Sequence, residues 1–111
     1  MKYSYQAEKL SLARSSLMLP HTSGLAQSIS SAFQACSLGF KDLDETGLDA
    51  DARRWVATIK SLMETTGIKD PAGVGTFELK ARTLSTDQQS DLSRAVDELA
   101  HWFRRESWGI R

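Results

Sequence analysis

The chain has 111 residues, 41% of them apolar and 25% charged, with seven Gly and two Pro, which suits one globular domain and excludes collagenous, low-complexity and wholly disordered classes. Fourteen Lys and Arg balance fourteen Asp and Glu, so the broad cationic footprint of a duplex-coating or anionic-membrane protein is missing. A single cysteine, Cys36, cannot form an internal disulfide, and with only His21 and His101 beside it a Cys/His zinc site lacks ligands; no metal or other cofactor is expected.

Glu8, Lys9 and Arg14 interrupt the apolar residues of the N-terminus, so neither a signal-peptide core nor a membrane span is read there, and a bacterial cytoplasm is the expected setting. The first periodic segment predicts a helix over 6–19, stopped by Pro20. Its apolar residues form two opposed rows, Tyr3, Leu10, Leu17 and Tyr5, Leu12, Leu19, which predicts contact on two faces. A second helix is expected over 23–43. At about 100° per residue it gathers Leu25, Ile29, Ala32, Phe33, Cys36, Phe40 and Leu43 into a core face.

A third helix is expected over 49–66, with Asp49 as N-cap, Gly67 just past its end, and Ala52, Trp55, Val56, Ile59, Leu62 and Met63 inward. The segment 68–84 then carries a turn signal at Asp70-Pro71-Ala72-Gly73. Phe77, Leu79 and Ala81 alternate with polar residues there, permitting a short strand that could pair with Lys2 to Tyr5. The last helix is expected over 86–108, opened by a capping box at Ser85 to Gln88 and burying Leu92, Val96, Leu99 and Phe103. Asp87 and Asp91 at its start and Arg104 and Arg105 near its end complement the helix dipole. The expected architecture is therefore one mainly α domain over 1–111. It is a compact four-helix bundle with room for a two-stranded β element formed by the N-terminus and residues around 76–81.

Three features bear on function. Between Arg14 and Lys41 there is no Asp, Glu, Lys or Arg. On the second helix the side away from the predicted core reads Gln27, Ser30, Ser31, Gln34, Ser37 and Leu38, which another helix could approach without desolvating a charge. Either a homodimer or another protein partner meets this face, or the second apolar row of the first helix covers it within the monomer. A non-enzymatic interaction or regulatory module that self-associates there is the leading expectation.

The second feature is Arg94 followed by His101, with six residues between them. It resembles the Arg-x(4 to 6)-His pattern of the HEPN superfamily, small all-helical domains many of which are ribonucleases, although Ala95 stands where members usually carry a polar residue. That resemblance implies cleavage of RNA beside a 2′-hydroxyl, with Arg94 steadying the phosphate and His101 moving the proton. The same residues, with Glu98 and Arg105, also make a row opposite the Leu92, Val96, Leu99 and Phe103 stripe, as a solvated ion-pair face does.

The third feature is the end of the chain, where Arg104, Arg105 and Trp108 could stack on bases and neutralise phosphates of a single strand. Neighbouring aromatics belong to the core, and the neutral net charge favours nucleic acid less than a protein partner. The acids Asp42, Asp44, Glu45, Asp49 and Asp51 lack the order of a calcium loop and read as turn acids and caps. No nucleophile motif gathers around His21, and Cys36 reads as inert packing.

Overall fold

The computed structural model describes residues 2–18, 21 and 23–109. It contains α1 (Ser4–Ser16), α2 (Leu25–Phe40), a 3-10 turn (Glu45–Gly47), α3 (Ala50–Leu62), α4 (Thr76–Thr83) and α5 (Thr86–Trp108). The chain is mainly helical, with five α-helices where four are expected and no strand among the described residues.

The expected β element is corrected at both of its halves. Residues 76–83 form α4, because Phe77 and Ala81, which alternate with polar neighbours as a strand would require, are also four residues apart and share one helical face. The Asp70 carboxylate accepts from the backbone N–H groups of Val74 (2.8 Å) and Gly75 (2.7 Å), closing the loop just before the helix begins. An i,i+4 pair between Glu78 and Arg82 supports the helix from outside. At the other half, Tyr3 sits at φ 66°, in the left-handed region, as N-cap of α1, and Ser4 is already helical.

Two helices start where their side chains dictate. The Asp49 carboxylate accepts from Ala52 N–H (2.8 Å) at the start of α3. At α5 the capping box forms in both directions, Gln88 N–H donating to Ser85 Oγ (3.1 Å) and Ser85 N–H to Gln88 Oε1 (2.9 Å). Helix α3 ends at Leu62, short of the expected Thr66, because the Glu64 carboxylate accepts from both the backbone and hydroxyl of Thr66 and draws the chain into a turn. The expected end of α1 at Leu19 and Pro20 lies outside the described residues.

Through space the closest helix neighbours run in the order α4, α2, α1, α5, α3. Helix α1 is thus contacted on two sides, by α2 and α5, and its row Tyr3, Leu10, Leu17 supplies the inward residues. Its other row does not: Tyr5 and Leu12 are 48% and 50% exposed. Helix α2 approaches α1 closely at Gly39, where an added Cβ would lie 3.1 Å from both Leu10 Cδ2 and Lys9 Cβ. Phe33, at its centre, meets the Phe77 ring of α4 edge-on at 5.7 Å. One continuous core results, with Phe33, Phe103, Leu10, Ile29, Ile59 and Leu92 fully buried.

Candidate interaction face

Helix α2 buries a wider arc than its apolar stripe predicts, since it has α1 on one flank and α4 on the other. The buried set therefore includes Ala35 and Gly39 on one side and Ser30, only 5% exposed, on the other. Of the residues expected to make a contact face, Gln27, Gln34 and Leu38 are exposed, Ser31 is half-buried beside them, and Ser30 is withdrawn. On a helical wheel Gln27, Ser31, Gln34 and Leu38 fall within an arc of about 60°. Ser37 is exposed but turns towards a separate cleft that it lines with Phe40, Lys41, Lys60 and Met63. The expectation is corrected at Ser30, which is buried because α2 has a second neighbour in α4, invisible as a helix in the alternation; Ser37 stays exposed but borders the cleft towards Lys60 and Met63 at the end of α3. Leu25, placed in the core by periodicity, is 43% exposed at the N-terminus of α2.

The residues missing from the expected face are on α1. Tyr5 and Leu12 share one side of that helix with Ser15 and Ser16, next to the outward stripe of α2. Because Gly39 meets Lys9 and Leu10, Leu38 lies within a turn of the level of Leu12. The two helices run antiparallel, so their loop end brings Ser15, Ser16 and Met18 against Ser23, Gln27 and Ser31 around a cleft of about 300 Å³ with no charged lining residue. The second seven-residue row, Tyr5 to Leu12, was the available signal for this surface. It does not cover α2 within the monomer; it extends the same open face.

Elsewhere the sequence candidates part company. Arg94 and His101 are both exposed on the side of α5 opposite its core stripe. Seven residues of helix separate them by about 10 Å along the axis. Arg94 borders a groove with Arg54, Trp55, Thr58 and Asp91, which His101 does not line. The His101 ring is engaged locally instead, with Nδ1 2.8 Å from the Asp97 carbonyl oxygen and 3.7 Å from its carboxylate. The two side chains are not brought to one cleft where they could act on one phosphodiester.

At the end of α5, Trp108 is 59% exposed, with the Arg104 guanidinium stacked 5.2 Å from its ring centre, so one face of the indole is already covered. Arg105 is exposed and lends positive charge to the Asp49 carboxylate. Trp102 is buried and donates its indole N–H to Asp49 Oδ2 (2.9 Å). That bond and the one from Ala52 N–H hold the Asp49 carboxyl below its ordinary value. Asp44 accepts from Thr46, Glu45 pairs with Lys60 (3.1 Å) and Asp51 with Arg54 (3.0 Å), so these acids, like Asp49, serve caps and ion pairs.

Among the described residues no three His, Cys, Asp or Glu side chains gather as a metal-holding group. Burial pushes the Cys36 thiol up to about 12, far from the thiolate that nucleophilic chemistry needs. His21 Nδ1 lies 3.0 Å from Ser28 Oγ, an arrangement the sequence did not suggest; no hydrogen bond to an acid orients its ring among the described residues. No helix among them is long and apolar enough to cross a membrane. No protein-family model, no curated protein and no solved structure matches the chain.

Proposed function

We propose that this protein is a non-enzymatic helical interaction module that self-associates through the outward face of the α1–α2 hairpin. The observation that carries the reading is the exposure of Tyr5, Leu12 and Leu38 (48%, 50% and 47%) on a face whose other α2 members, Gln27, Ser31 and Gln34, are all uncharged. Burying those three side chains removes apolar surface from water, while the small neutral groups of the α2 half add little desolvation cost. A second copy is the occupant that suits the chemistry: the α2 half offers no ion-pair partners to a charged protein, and Glu8 and Lys9, which flank Leu12 and Tyr5 on α1, pair with each other (3.9 Å), so an identical face of zero net charge matches it. Its single thiol, kept reduced and buried, fits a cytoplasmic setting.

Size sets the affinity to expect. Two helices of 13 and 16 residues present a face of about 20 Å by 20 Å, or about 800 Å² buried over both copies. That is the small end of specific interfaces, so a reversible dimer with a Kd on the order of micromolar is expected. Sedimentation equilibrium over a concentration series measures it. Leu38→Glu and Gln34→Glu should each give a folded monomer, and a wild type that stays monomeric at several hundred micromolar refutes the proposal. The ribonuclease reading of Arg94 and His101 makes a separate forecast, RNA cleavage lost in His101→Ala, and the same preparations can be assayed for it.

A further inference from the structure

We infer that the dimer is a two-fold, knob-into-cleft arrangement in which Tyr5 of each copy enters the seryl-lined cleft between the α1 C-terminus and the α2 N-terminus of the other. The inference rests on the self-association reading above and specifies its geometry. Three observations support it. Tyr5 is an exposed aromatic ring at one end of the face, with Lys9 Nζ 5.2 Å from its ring centre. The cleft at the opposite end has about 300 Å³, enough to take one phenol ring, and its lining of Ser15, Ser16, Ser23, Gln27 and Ser31 offers hydroxyl and amide partners to a phenolic O–H. Knob and cleft belong to the same side of α1, since Tyr5, Leu12 and Ser16 lie within about 40° of one another on the helical wheel.

The spacing makes the face self-complementary. Tyr5 and Ser16 are about 17 Å apart along α1. A two-fold axis lying in the plane of the contact, perpendicular to α1 and beside Leu12, exchanges the two ends, laying each Tyr5 over the other copy's cleft and bringing Leu12 and Leu38 against their own counterparts at the centre. Such an isologous contact makes every interaction twice, closes on itself and leaves no open end for a filament. An amphipathic aromatic in a neutral pocket, beside a small apolar centre, is also the side chain most often found to dominate a contact of this size.

Tyr5→Ala and Ser31→Glu test it, the first removing the knob and the second blocking the cleft. Each should weaken self-association by about tenfold or more, with far-UV circular dichroism unchanged. Mixed one to one, the two variants should form a heterodimer tighter than either homodimer, because one intact Tyr5 then faces one intact cleft. If Tyr5→Ala dimerises like wild type while Leu38→Glu is monomeric, the face stands and the knob-into-cleft geometry is overturned. Failure of the mixture to exceed its components overturns that geometry as well. A monomeric wild type removes both.

Discussion

Helices α3 and α5 and helices α1 and α2 are stabilised in different ways. The first pair carries its own instructions: side-chain caps at Asp49 and Ser85, acids in the first turns, and Lys60 and Arg105 in the last turns. The second pair has no side-chain N-cap and no acid in either first turn, and α2 has no base in its last turn. Gly24, at φ 97°, and Tyr3, at φ 66°, stand where capping residues would. Helices α1 and α2 are therefore held by tertiary packing more than by local signals, through Leu10, Ala13, Phe33 and the close approach at Gly39. Their outward face carries little charge, none on α2 and only the mutually paired Glu8 and Lys9 beside Tyr5 and Leu12 on α1, which is the property the proposed contact uses.

The largest test of this difference is Leu10→Ala. Leu10 is fully buried where α1 meets α2, so the substitution should cost about 2 to 5 kcal/mol in urea unfolding. Native-state hydrogen exchange sharpens the comparison: amides of α1 and α2 should open at lower free energy than those of α5, and more so in the variant. Equal protection across all four helices would break it.

Next in size is Asp49→Ala, which removes the α3 cap and leaves the buried indole N–H of Trp102 without its acceptor, at about 2 to 3 kcal/mol together. Asp49→Asn keeps a single acceptor oxygen, so it can hold the Ala52 cap or the Trp102 indole but not both, and should lose an intermediate amount. The pH dependence follows in sign. The Asp49 carboxyl is held below its ordinary 3.8, first by Ala52 N–H and then by the Trp102 indole, so the stability it contributes is present above that value and is lost as pH falls through the depressed one. Acid titration monitored by tryptophan fluorescence should show wild type losing stability below about pH 3.8 more steeply than Asp49→Asn.

The same division separates what was legible in the sequence from what was not. Helices α3 and α5 were readable because cap, stripe and terminal charges agree. Helix α4 was hidden because a period of two and a period of 3.6 both place Phe77 and Ala81 on one side, and the choice falls to the Asp70 loop closure, the Glu78–Arg82 pair and the tertiary contact with Phe33. Ser30 was misassigned for the same reason, since a helix with two neighbours buries more than its apolar stripe. Of the contact face, the missing charge pointed to Gln27, Ser31, Gln34 and Leu38. Nothing local told whether the Tyr5 and Leu12 row turned inward or out, because either row of α1 could have met the core.

A smaller effect is expected where α1 begins. The Tyr3 ring packs 5.6 Å from Trp102 and 5.3 Å from Phe103, yet its hydroxyl is buried with no hydrogen-bond partner among the described residues. Tyr3→Phe keeps the ring and removes the orphaned group, so it should be neutral or stabilising by up to about 1 kcal/mol. Gly47→Ala should act in the opposite sense, because its Cβ would approach the Tyr3 hydroxyl far inside contact distance. A clear loss in thermal unfolding of Tyr3→Phe would mean that the hydroxyl stabilises the start of α1, and with it that this helix has a local anchor after all.

The smallest effect concerns an ion pair that joins the two regions, Arg14 Nε donating to Asp97 Oδ1 at 2.6 Å between α1 and α5. Its length suggests a strong link, but both side chains are 46% exposed, and water competes for each group in either partner's absence. Such pairs contribute about 0 to 1 kcal/mol, less at high salt, because the Coulomb gain is offset by ordering two long side chains. Arg14→Met and Asp97→Asn, combined in a double-mutant cycle, should therefore give a coupling below about 1 kcal/mol that fades in 1 M salt. The cycle matters because Asp97 also faces His101, so the single Asp97 variant reports more than this pair. A coupling well above 1 kcal/mol would mean that α1 is held on α5 electrostatically. The packing of Leu10 and Ala13 would then not be what keeps the uncapped helices in place, and the contrast between the two regions would lose its physical basis.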